Sequence, residues 1–181
     1  MFILLNAKIL DMKKLCLAFL IVLGTLPLVN GQSSLRIDNQ QFKDQFLTII
    51  NAKRAKGCNC GGVFMKPVSP LTWNDLLAQS ATEHAKDMYK HNYFNHESKD
   101  GSTSEDRIIK AGYIYKGYQK YTTGENIAYG QQSILEVLAN WFKSDGHCKN
   151  IMNPDFKEIG VAEYNYYWVQ DFGGRVSFAA H

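Results

Sequence analysis

The sequence carries no strong excess of charge of either sign. Its 20 Lys and Arg residues stand against 17 Asp and Glu residues in a chain of 181, a formal net charge of +3 at pH 7. Without the predicted N-terminal leader, residues 1–31, 17 basic and 16 acidic residues remain. Nucleic-acid-binding domains are typically basic. The charge balance therefore gives no support to a nucleic-acid partner, and we expect none.

The sequence also lacks internal repeats, linker-like segments and the signatures of two large groups of hydrolases. It has no Gly-x-Ser-x-Gly, the turn that presents the nucleophilic serine in many esterases. It has no His-Glu-x-x-His, the zinc-binding helix of many metalloproteases. The roughly 150 residues that follow the leader suit one domain with a substantial core. These patterns assign no catalytic residue.

A short apolar run lies near the N-terminus, at residues 15–24. Lys13 and Lys14 precede it, and the compact residues Val29 and Gly31 occupy positions −3 and −1 of a cleavage site after Gly31. This order is typical of a secretory signal peptide. Because the run is short and no positive cluster follows it, a membrane-spanning helix is the weaker interpretation.

Residues 1–31 are therefore predicted to be a signal peptide and residues 32–181 a single domain, secreted or held in the cell envelope, without a membrane span after cleavage. Met12 offers an alternative start of translation, since the first eleven residues are unusual for a signal peptide. Cys16 lies inside the apolar run and not behind a lipoprotein motif, so we expect no lipid anchor.

Apolar residues at helical spacing predict four helices. Asn74 is the predicted N-cap of the second and Ser133 that of the fourth. His84 lies within the apolar stripe of the second helix, where a core imidazole hydrogen-bonded to the backbone is expected. The predicted helices are residues 42–56, 74–91, 104–111 and 133–145.

Alternating β-branched and aromatic residues predict a C-terminal hairpin, residues 158–167 and 168–178, with a tight turn around Asn165. Four tyrosines are assigned to a loop, as either a contact surface or a lid over the core. They are Tyr113, Tyr115, Tyr118 and Tyr121. Helices first and strands last favour an α+β fold with helices on both faces of a sheet.

Three cysteines remain after the leader: Cys58, Cys60 and Cys148. An exported chain favours disulfide formation. Closure of Cys58 to Cys60 would be strained, so we predict a bridge from one of them to Cys148. A zinc site made from the three is the competing interpretation, although it lacks the paired spacing of structural zinc sites.

Four short motifs follow one another along the chain. They are Tyr93-Phe94-Asn95-His96, Gly124-Glu125-Asn126-Ile127-Ala128, Trp141-Phe142-Lys143-Ser144-Asp145-Gly146-His147 and Ile159-Gly160-Val161. With these motifs, the chain from about Phe42 onward resembles the bacterial branch of the CAP superfamily, which includes cysteine-rich secretory, antigen five and pathogenesis-related proteins. The resemblance implies a three-layer α-β-α sandwich with a central, mainly antiparallel sheet.

In that superfamily two His and two Glu line a central cleft. The motifs match His96 to the first His, Glu125 to the first Glu and His147 to the second His. The fourth position differs, because Ser144 stands where many members have Glu. A Cys-Asn-Tyr run of eukaryotic members is also missing, and residues 168–173 replace it. The resemblance thus implies a cleft containing these four residues.

Two imidazoles and a carboxylate form a competent zinc-binding set. We therefore predict that His96, Glu125 and His147 bind a divalent metal, most suitably zinc. Alternatively, the three side chains hydrogen-bond one another and connect loops at the sheet end. A Ser144-His147-Glu125 triad is disfavoured because the nucleophile turn is missing. A thiol catalyst at Cys148 is disfavoured by the expected bridge.

The function predicted by the resemblance is a secreted, non-enzymatic module that binds a lipid, a glycan or a protein in its cleft. One alternative is a metal-assisted hydrolase of peptide or cell-wall material, with His96 and His147 on the metal and Glu125 as ligand or general base. A further alternative is a structural protein of the cell envelope. The sequence does not rank these ligands.

Overall fold

The computed structural model describes residues 31–178. The predicted signal peptide, apart from Gly31, lies outside the described residues. Within them the chain forms five helices and six strands. In chain order these are α1 (Gly31–Lys56), β1 (Cys58–Cys60), β2 (Val63–Met65), β3 (Thr72–Trp73), α2 (Asp75–Lys90), α3 (Ser104–Lys110), β4 (Tyr118–Tyr129), α4 (Ile134–Lys143), α5 (Asp145–Ile151), β5 (Glu158–Tyr164) and β6 (Tyr167–Ser177).

A four-stranded sheet in the order β3-β5-β6-β4 forms the centre of the fold. β3 runs parallel to β5, and the other two pairs are antiparallel. On one face α2 buries apolar side chains such as Ala85 and Met88. On the other, Ile50 of α1, Trp141 of α4 and Ile151 of α5 pack against the sheet. This confirms the predicted three-layer α-β-α sandwich with a mainly antiparallel sheet.

The helix starts follow the predicted caps. The Asn74 side chain accepts hydrogen bonds from the backbone N–H groups of Leu76 and Leu77, and the Ser133 side chain accepts from Glu136 N–H. In the predicted cap region of the short helix, Thr103 and Asp106 form a reciprocal capping box. The C-terminal hairpin is also confirmed, with its turn at Asn165 and Tyr166.

Two predictions of local structure are wrong. Tyr118 and Tyr121 do not lie in a loop but on β4, which pairs with β6 along almost its whole length. The sequence hides this strand because Gly124 and the polar residues before it show no alternation of apolar side chains. Neighbouring strands, and not local propensity, decide its conformation.

The second error concerns the end of the fourth predicted helix. That helix, α4, ends at Lys143, and Asp145 begins the separate helix α5. Ser144 adopts an extended backbone (φ −84°, ψ 127°) that interrupts the helical path. The carboxylate of Asp145 suits the positive end of a new helix dipole. His147 and Cys148 therefore lie on a helix and not in a turn.

The tyrosine cluster divides between core and surface. Tyr113 is fully buried and donates a hydrogen bond to Glu158 Oε2 at 2.7 Å. The guanidinium of Arg175 lies 4.0 Å from the centre of its ring. Tyr115, in contrast, is 63% exposed. Tyr113 therefore belongs to the lid over the core, and Tyr115 to the surface.

Gly160 permits the close approach of α2 to the sheet. A Cβ atom at this position would lie 2.0 Å from the backbone nitrogen of Ala78, which is far inside van der Waals contact. Any larger residue would therefore push α2 away from β5. This glycine belongs to the Ile-Gly-Val motif, and the close packing of α2 explains why the motif contains a glycine.

A disulfide joins Cys60 of β1 to Cys148 of α5, as predicted for one of the two N-terminal cysteines, and Cys58 remains a thiol. It connects the small β1-β2 hairpin to the helix that carries His147. Among residues 31–178, no helix combines the length and apolar character needed to cross a bilayer.

Arg54 of α1 holds together the loop before β3, the end of α5 and the loop that follows α5. Its side chain is fully buried and donates to the backbone carbonyls of Ser69, Ile151, Asn153 and Phe156. Burial lowers the pKa of Arg54 to about 10, which still leaves the guanidinium charged at neutral pH. The carbonyls, and not a carboxylate, therefore balance this buried charge.

Replacing Arg54 tests this role. Arg54→Met should lower the free energy of unfolding by about 3 to 5 kcal/mol, because it leaves four carbonyls without this donor, those of Ile151 and Phe156 in buried hydrogen bonds. Arg54→Lys should recover only part of the loss, since an ammonium group cannot span the same carbonyls. Denaturant unfolding measures the effect, with the exposed Lys56→Met as control. Equal stability of the Arg54→Met and Lys56→Met proteins would contradict this role.

Candidate functional site

The site is built around Glu125 on β4. Glu125 lies opposite Asp171 of β6 on the sheet face that α2 covers. It is only 7% exposed. A carboxylate this deep requires partners for both oxygens, because an unpaired buried charge is costly.

His96 supplies the first partner. It lies in the loop after α2, and its Nδ1 is 2.7 Å from Glu125 Oε1. An ionised carboxylate only accepts hydrogen bonds, so Nδ1 donates a proton to it and Nε2 faces away from Glu125. The His96 side chain is 55% exposed while that of Glu125 is 2% exposed. The buried carboxylate thus fixes an imidazole that remains open to solvent.

Arg107 of α3 supplies the second partner. Its Nη2 donates to Glu125 Oε2 at 2.7 Å and to the His96 carbonyl at 2.9 Å. Its Nη1 donates to Ser98 Oγ and to the Ser102 carbonyl, each at 3.0 Å. The guanidinium therefore positions the carboxylate and the loop that carries His96 at once. Sequence reasoning missed Arg107, whose only signal was a cation beside the apolar Ile108 on a short helix.

The pKa values of the cross-strand pair, Glu125 and Asp171, are shifted in opposite directions. Burial alone would raise the pKa of Glu125, but the hydrogen bond from His96 and the charge of Arg107 outweigh it, and the net shift is downward. Full burial and the neighbouring Glu125 charge raise the pKa of Asp171 well above its usual value. The lowered pKa keeps Glu125 ionised at neutral pH, whereas the environment of Asp171 favours its protonated form. Asp171 was also missed, because a strand sequence does not show which residue faces Glu125.

His84 of α2 contacts the loop that carries His96 from the buried side. It is completely buried, and its Nε2 donates to the Asn95 carbonyl at 3.0 Å. This confirms the prediction of a core histidine bonded to backbone. Burial is the main cause that lowers the pKa of His84. The neutral ring therefore holds the residue that precedes His96.

His147 lies on α5, on the other side of β4. Asn126 Nδ2 donates to the His147 carbonyl at 3.1 Å, and Asn150 Nδ2 donates to Asn126 Oδ1 at 2.9 Å and to the Glu125 carbonyl at 3.2 Å. These amide bonds fasten α5 to the strand that carries Glu125. Burial and the nearby charge of His96 lower the pKa of His147. His147 is therefore half-buried, neutral and close enough to His96 to respond to its charge.

Ser144 lies between α4 and α5. Its side chain makes no capping hydrogen bond to α5, and no hydrogen bond within residues 31–178 connects it to His96 or Glu125. Ser144 is half-buried and immediately precedes the first residue of α5. The structure therefore brings His96 and Glu125 into contact, places His147 nearby and leaves Ser144 at the edge.

The ligand atoms of the three predicted metal ligands are not all close to one another. Within the described part of the chain, the one group of three His, Cys, Asp or Glu side chains whose ligand atoms lie within 4.8 Å of one another is Cys58, Cys60 and Cys148. His96, Glu125 and His147 do not form such a group. Both oxygens of Glu125 are already bonded, so its geometry suits the orientation of His96 and not direct coordination.

An aromatic row adjoins the site, defined by Phe94, Tyr129, Tyr167, Tyr89 and Tyr164. Successive ring centroids are 6.3, 4.4, 6.4 and 5.3 Å apart. Tyr167 is buried, while the other four are 37 to 55% exposed. The row begins two residues from His96 and follows the end of α2 to the β5-β6 turn. This surface was not predicted from the sequence.

Two curated relatives are similar to the chain. It is 35% identical over 136 residues to the uncharacterized protein YkwD of Bacillus subtilis, covering 74% of this chain and 48% of YkwD. It is 33% identical over 105 residues to the uncharacterized membrane protein YlbC of the same organism, covering 58% of this chain and 29% of YlbC. The chain thus spans about half or less of the length of these relatives.

Two solved structures are similar to this chain in fold. An extracellular protein of Bacillus anthracis containing an SCP domain has 30% identity and a TM-score of 0.61, over 74% of this chain and 40% of that one. An outer surface protein of Borrelia burgdorferi has 21% identity and a TM-score of 0.57, over 77% of this chain and 94% of that one. At that identity, the second likeness concerns the fold alone.

The family comparison covers most of the sandwich. Residues 47–172 match the cysteine-rich secretory protein family, CAP. This span contains β1 to β5, all helices after α1, and the His96, Glu125 and His147 motifs, so the observed site lies within the matched region. The chain therefore belongs to the CAP family of cysteine-rich secretory proteins.

Proposed function

We propose that this protein is an extracellular, non-enzymatic binding module that recognises a carbohydrate at the His96 cleft and along the aromatic row. Support for an extracellular location comes from the disulfide, and from solved relatives described as an extracellular protein and an outer surface protein. The predicted signal peptide agrees with the same location.

The observation that carries the proposal is the exposed imidazole of His96 held from behind by a buried ion pair. The 2.7 Å contacts of Glu125 with His96 and with Arg107 fix the ring before any ligand arrives. Preorganised polar groups lose little entropy on binding. The same contacts make Glu125 a poor general base, because both oxygens are occupied and its pKa is lowered. Binding therefore fits this geometry better than hydrolysis.

His96 and His147 fit a divalent cation as imidazole ligands, with Glu125 as the hydrogen-bonded partner that orients His96. Neutral imidazole is the form that binds metal, and the lowered pKa of His147 favours it. A zinc ion bound there would supply a positive centre for an oxygen of the ligand. The protein's own residues supply the orientation of the two rings.

The aromatic row favours a carbohydrate over a lipid. Four of its five rings are tyrosines, which combine an apolar face with a hydroxyl, and sugar rings present apolar C–H faces and hydroxyl edges to match. Lys86 and Lys90 border an open cavity of about 680 Å³ at its far end, together with Tyr89, Asn92 and Tyr164. These cations favour a sugar chain that carries carboxylates.

The turn beside the row contains an additional exposed ring. Asn165 and Tyr166 both have positive φ, 47° and 67°. Glycine is preferred at the second of these positions in a two-residue hairpin turn, so a tyrosine there is strained. Its ring is 53% exposed. Strain retained at an exposed position supports a role in ligand contact.

Zinc titration tests the metal part of the proposal. The oxidised protein should bind one zinc ion, and His96→Ala or His147→Ala should weaken binding at least about tenfold, because each removes one of two imidazole ligands. Affinity should fall as the pH drops through the lowered pKa of His147, because only the neutral imidazole binds metal. Calorimetry measures both effects, with His91→Ala, an exposed histidine paired with Asp87, as control. Equal loss in the control would contradict the assignment.

A pair of amide substitutions tests the charge assignment. Glu125→Gln should cost about 1 to 3 kcal/mol of stability at neutral pH, because it removes the charge that balances Arg107. Since the folded-state pKa of Glu125 is lowered from 4.5, its contribution is present above that value and is lost as the pH falls through the lowered pKa. The cost of Glu125→Gln should therefore shrink in acid.

Asp171→Asn should behave in the opposite way. Because the folded-state pKa of Asp171 is raised from 3.8, the wild-type acid opposes folding increasingly as the pH rises from that value to the raised pKa. The variant, which is always neutral, should gain stability relative to wild type by up to about 1.4 kcal/mol per pH unit over that range. Melting curves from pH 3 to 8 measure both variants. Parallel curves for Asp171→Asn and wild type would show that Asp171 is ionised.

Carbohydrate binding is tested on the aromatic row. A polygalacturonate oligosaccharide should bind, and Tyr129→Ala or Tyr89→Ala should weaken its binding at least about tenfold by removing a stacking ring. Lys86→Gln should weaken this anionic probe but not neutral chitohexaose. Tyr115→Ala, at an exposed tyrosine outside the row, is the matched control. Retention of both sugars by the Tyr129 and Tyr89 variants, or binding to lipid vesicles only, would overturn the carbohydrate assignment.

A further inference from the structure

The three cysteines form a cluster that a single disulfide does not explain. Cys60 and Cys148 are bridged and completely buried, yet the thiol of Cys58 lies 3.9 Å from Cys60 Sγ and 3.8 Å from Cys148 Sγ. Apolar side chains, among them Met65 and Met152, surround the three sulfurs. A third thiol packed against both bridged sulfurs points to a function beyond the bridge.

Thiol exchange does not fit the observed arrangement. An attacking thiolate must approach one sulfur along the line of the bond that breaks. Cys58 Sγ is almost equally distant from both sulfurs of the bridge, so it lies beside the bond and not in line with it. The side chains would have to reorient before any exchange of partners.

The same distances fit tetrahedral metal coordination. Zinc binds thiolate sulfur at about 2.3 Å, and two ligands at the tetrahedral angle are then about 3.8 Å apart. Cys58 already stands at that separation from each of the other two sulfurs. Once the bridge is reduced, Cys60 and Cys148 need only move apart to the same separation for the three sulfurs to form one face of a tetrahedron.

We propose that the reduced protein binds one zinc ion through the thiolates of Cys58, Cys60 and Cys148, with water as fourth ligand, and that oxidation to the Cys60–Cys148 disulfide releases it. The cluster is separate from the His96 cleft and does not depend on the function proposed for it. Sulfur is a preferred ligand of zinc in structural sites. Cys58 is partly exposed, so the zinc ion and its water reach the cluster from the side of Cys58.

The chemistry is balanced with a thiol or disulfide as co-reactant. Two equivalents of a small thiol reduce the bridge, giving two protein thiols and one small disulfide. Zinc then displaces the protons of three thiols. In the reverse direction a small disulfide accepts two electrons from Cys60 and Cys148, zinc leaves, and three protons from solvent give two small thiols and the thiol of Cys58.

Either link connects the β1-β2 hairpin to α5. Cys58 and Cys60 lie on β1, and Cys148 follows His147 on α5. The zinc form would therefore hold His147 near the sheet when the disulfide is absent. The redox state changes the kind of cross-link without freeing the helix.

Cobalt titration of the full chain tests the proposal. After reduction with a phosphine, wild-type protein should bind one Co²⁺ and develop the intense near-ultraviolet absorption of thiolate-to-cobalt charge transfer. Zinc should displace the cobalt. Cys58→Ser should lose this band and at least tenfold in affinity, whereas the His96→Ala, His147→Ala double variant should keep both. Oxidised glutathione added to the zinc-loaded protein should release one zinc ion and two glutathione thiols.

Alkylation of Cys58 in the folded wild-type protein is a control for the case in which the Cys58→Ser protein misfolds. Of the three clustered cysteines, iodoacetamide should alkylate only Cys58 in the folded, oxidised wild-type protein, because the other two sulfurs are bridged. After subsequent reduction, that protein should show no thiolate band. The absence of the band in reduced wild type, or its persistence after Cys58 is removed or alkylated, would overturn the proposal.

Discussion

The paired carboxylate of Glu125 is the constraint on which the site depends. Placed on β4 under α2, it is shielded from water and remains ionised because His96 and Arg107 each bond one oxygen. Without those partners a charge at this depth would cost several kcal/mol. The need to satisfy it therefore fixes α3, which carries Arg107, and the loop after α2, which carries His96. One buried charge thus orders three separate segments of the chain.

The opposite face of the same strand uses neutral hydrogen bonds. Asn126, which follows Glu125, points away from it because successive strand residues alternate between faces. Asn126 is completely buried and bonds Gln170 and the His147 carbonyl. The disulfide from Cys60 holds the same helix, α5, from its outer side. The two histidines approach the edge of β4 from opposite layers of the sandwich, and each is held by a different kind of interaction.

The aromatic row shows how an exposed aromatic surface arises from elements with independent structural roles. Tyr167 is buried and closes the core under α2, while Tyr89, Tyr129 and Tyr164 surround it at the surface. Each of these residues comes from a different element, so their proximity follows from the packing of α2 on the sheet. Gly160 makes that packing possible by allowing the backbone of α2 to approach β5 closely. The row and the cleft share this dependence.

The sequence by itself determined most of the helices and the C-terminal hairpin, the caps at Asn74 and Ser133, the buried state of His84, the long-range bridge to Cys148 and, through the motifs, the sandwich. These features depend on local patterns or on chemistry that few residue types supply. Only the tertiary structure decided that Cys60 and not Cys58 is bridged, that residues 118–129 form a strand, and that Arg107 and Asp171 surround Glu125. The physical reason is that strand pairing and helix packing bring together residues far apart in sequence, and no local pattern specifies which side chains face one another.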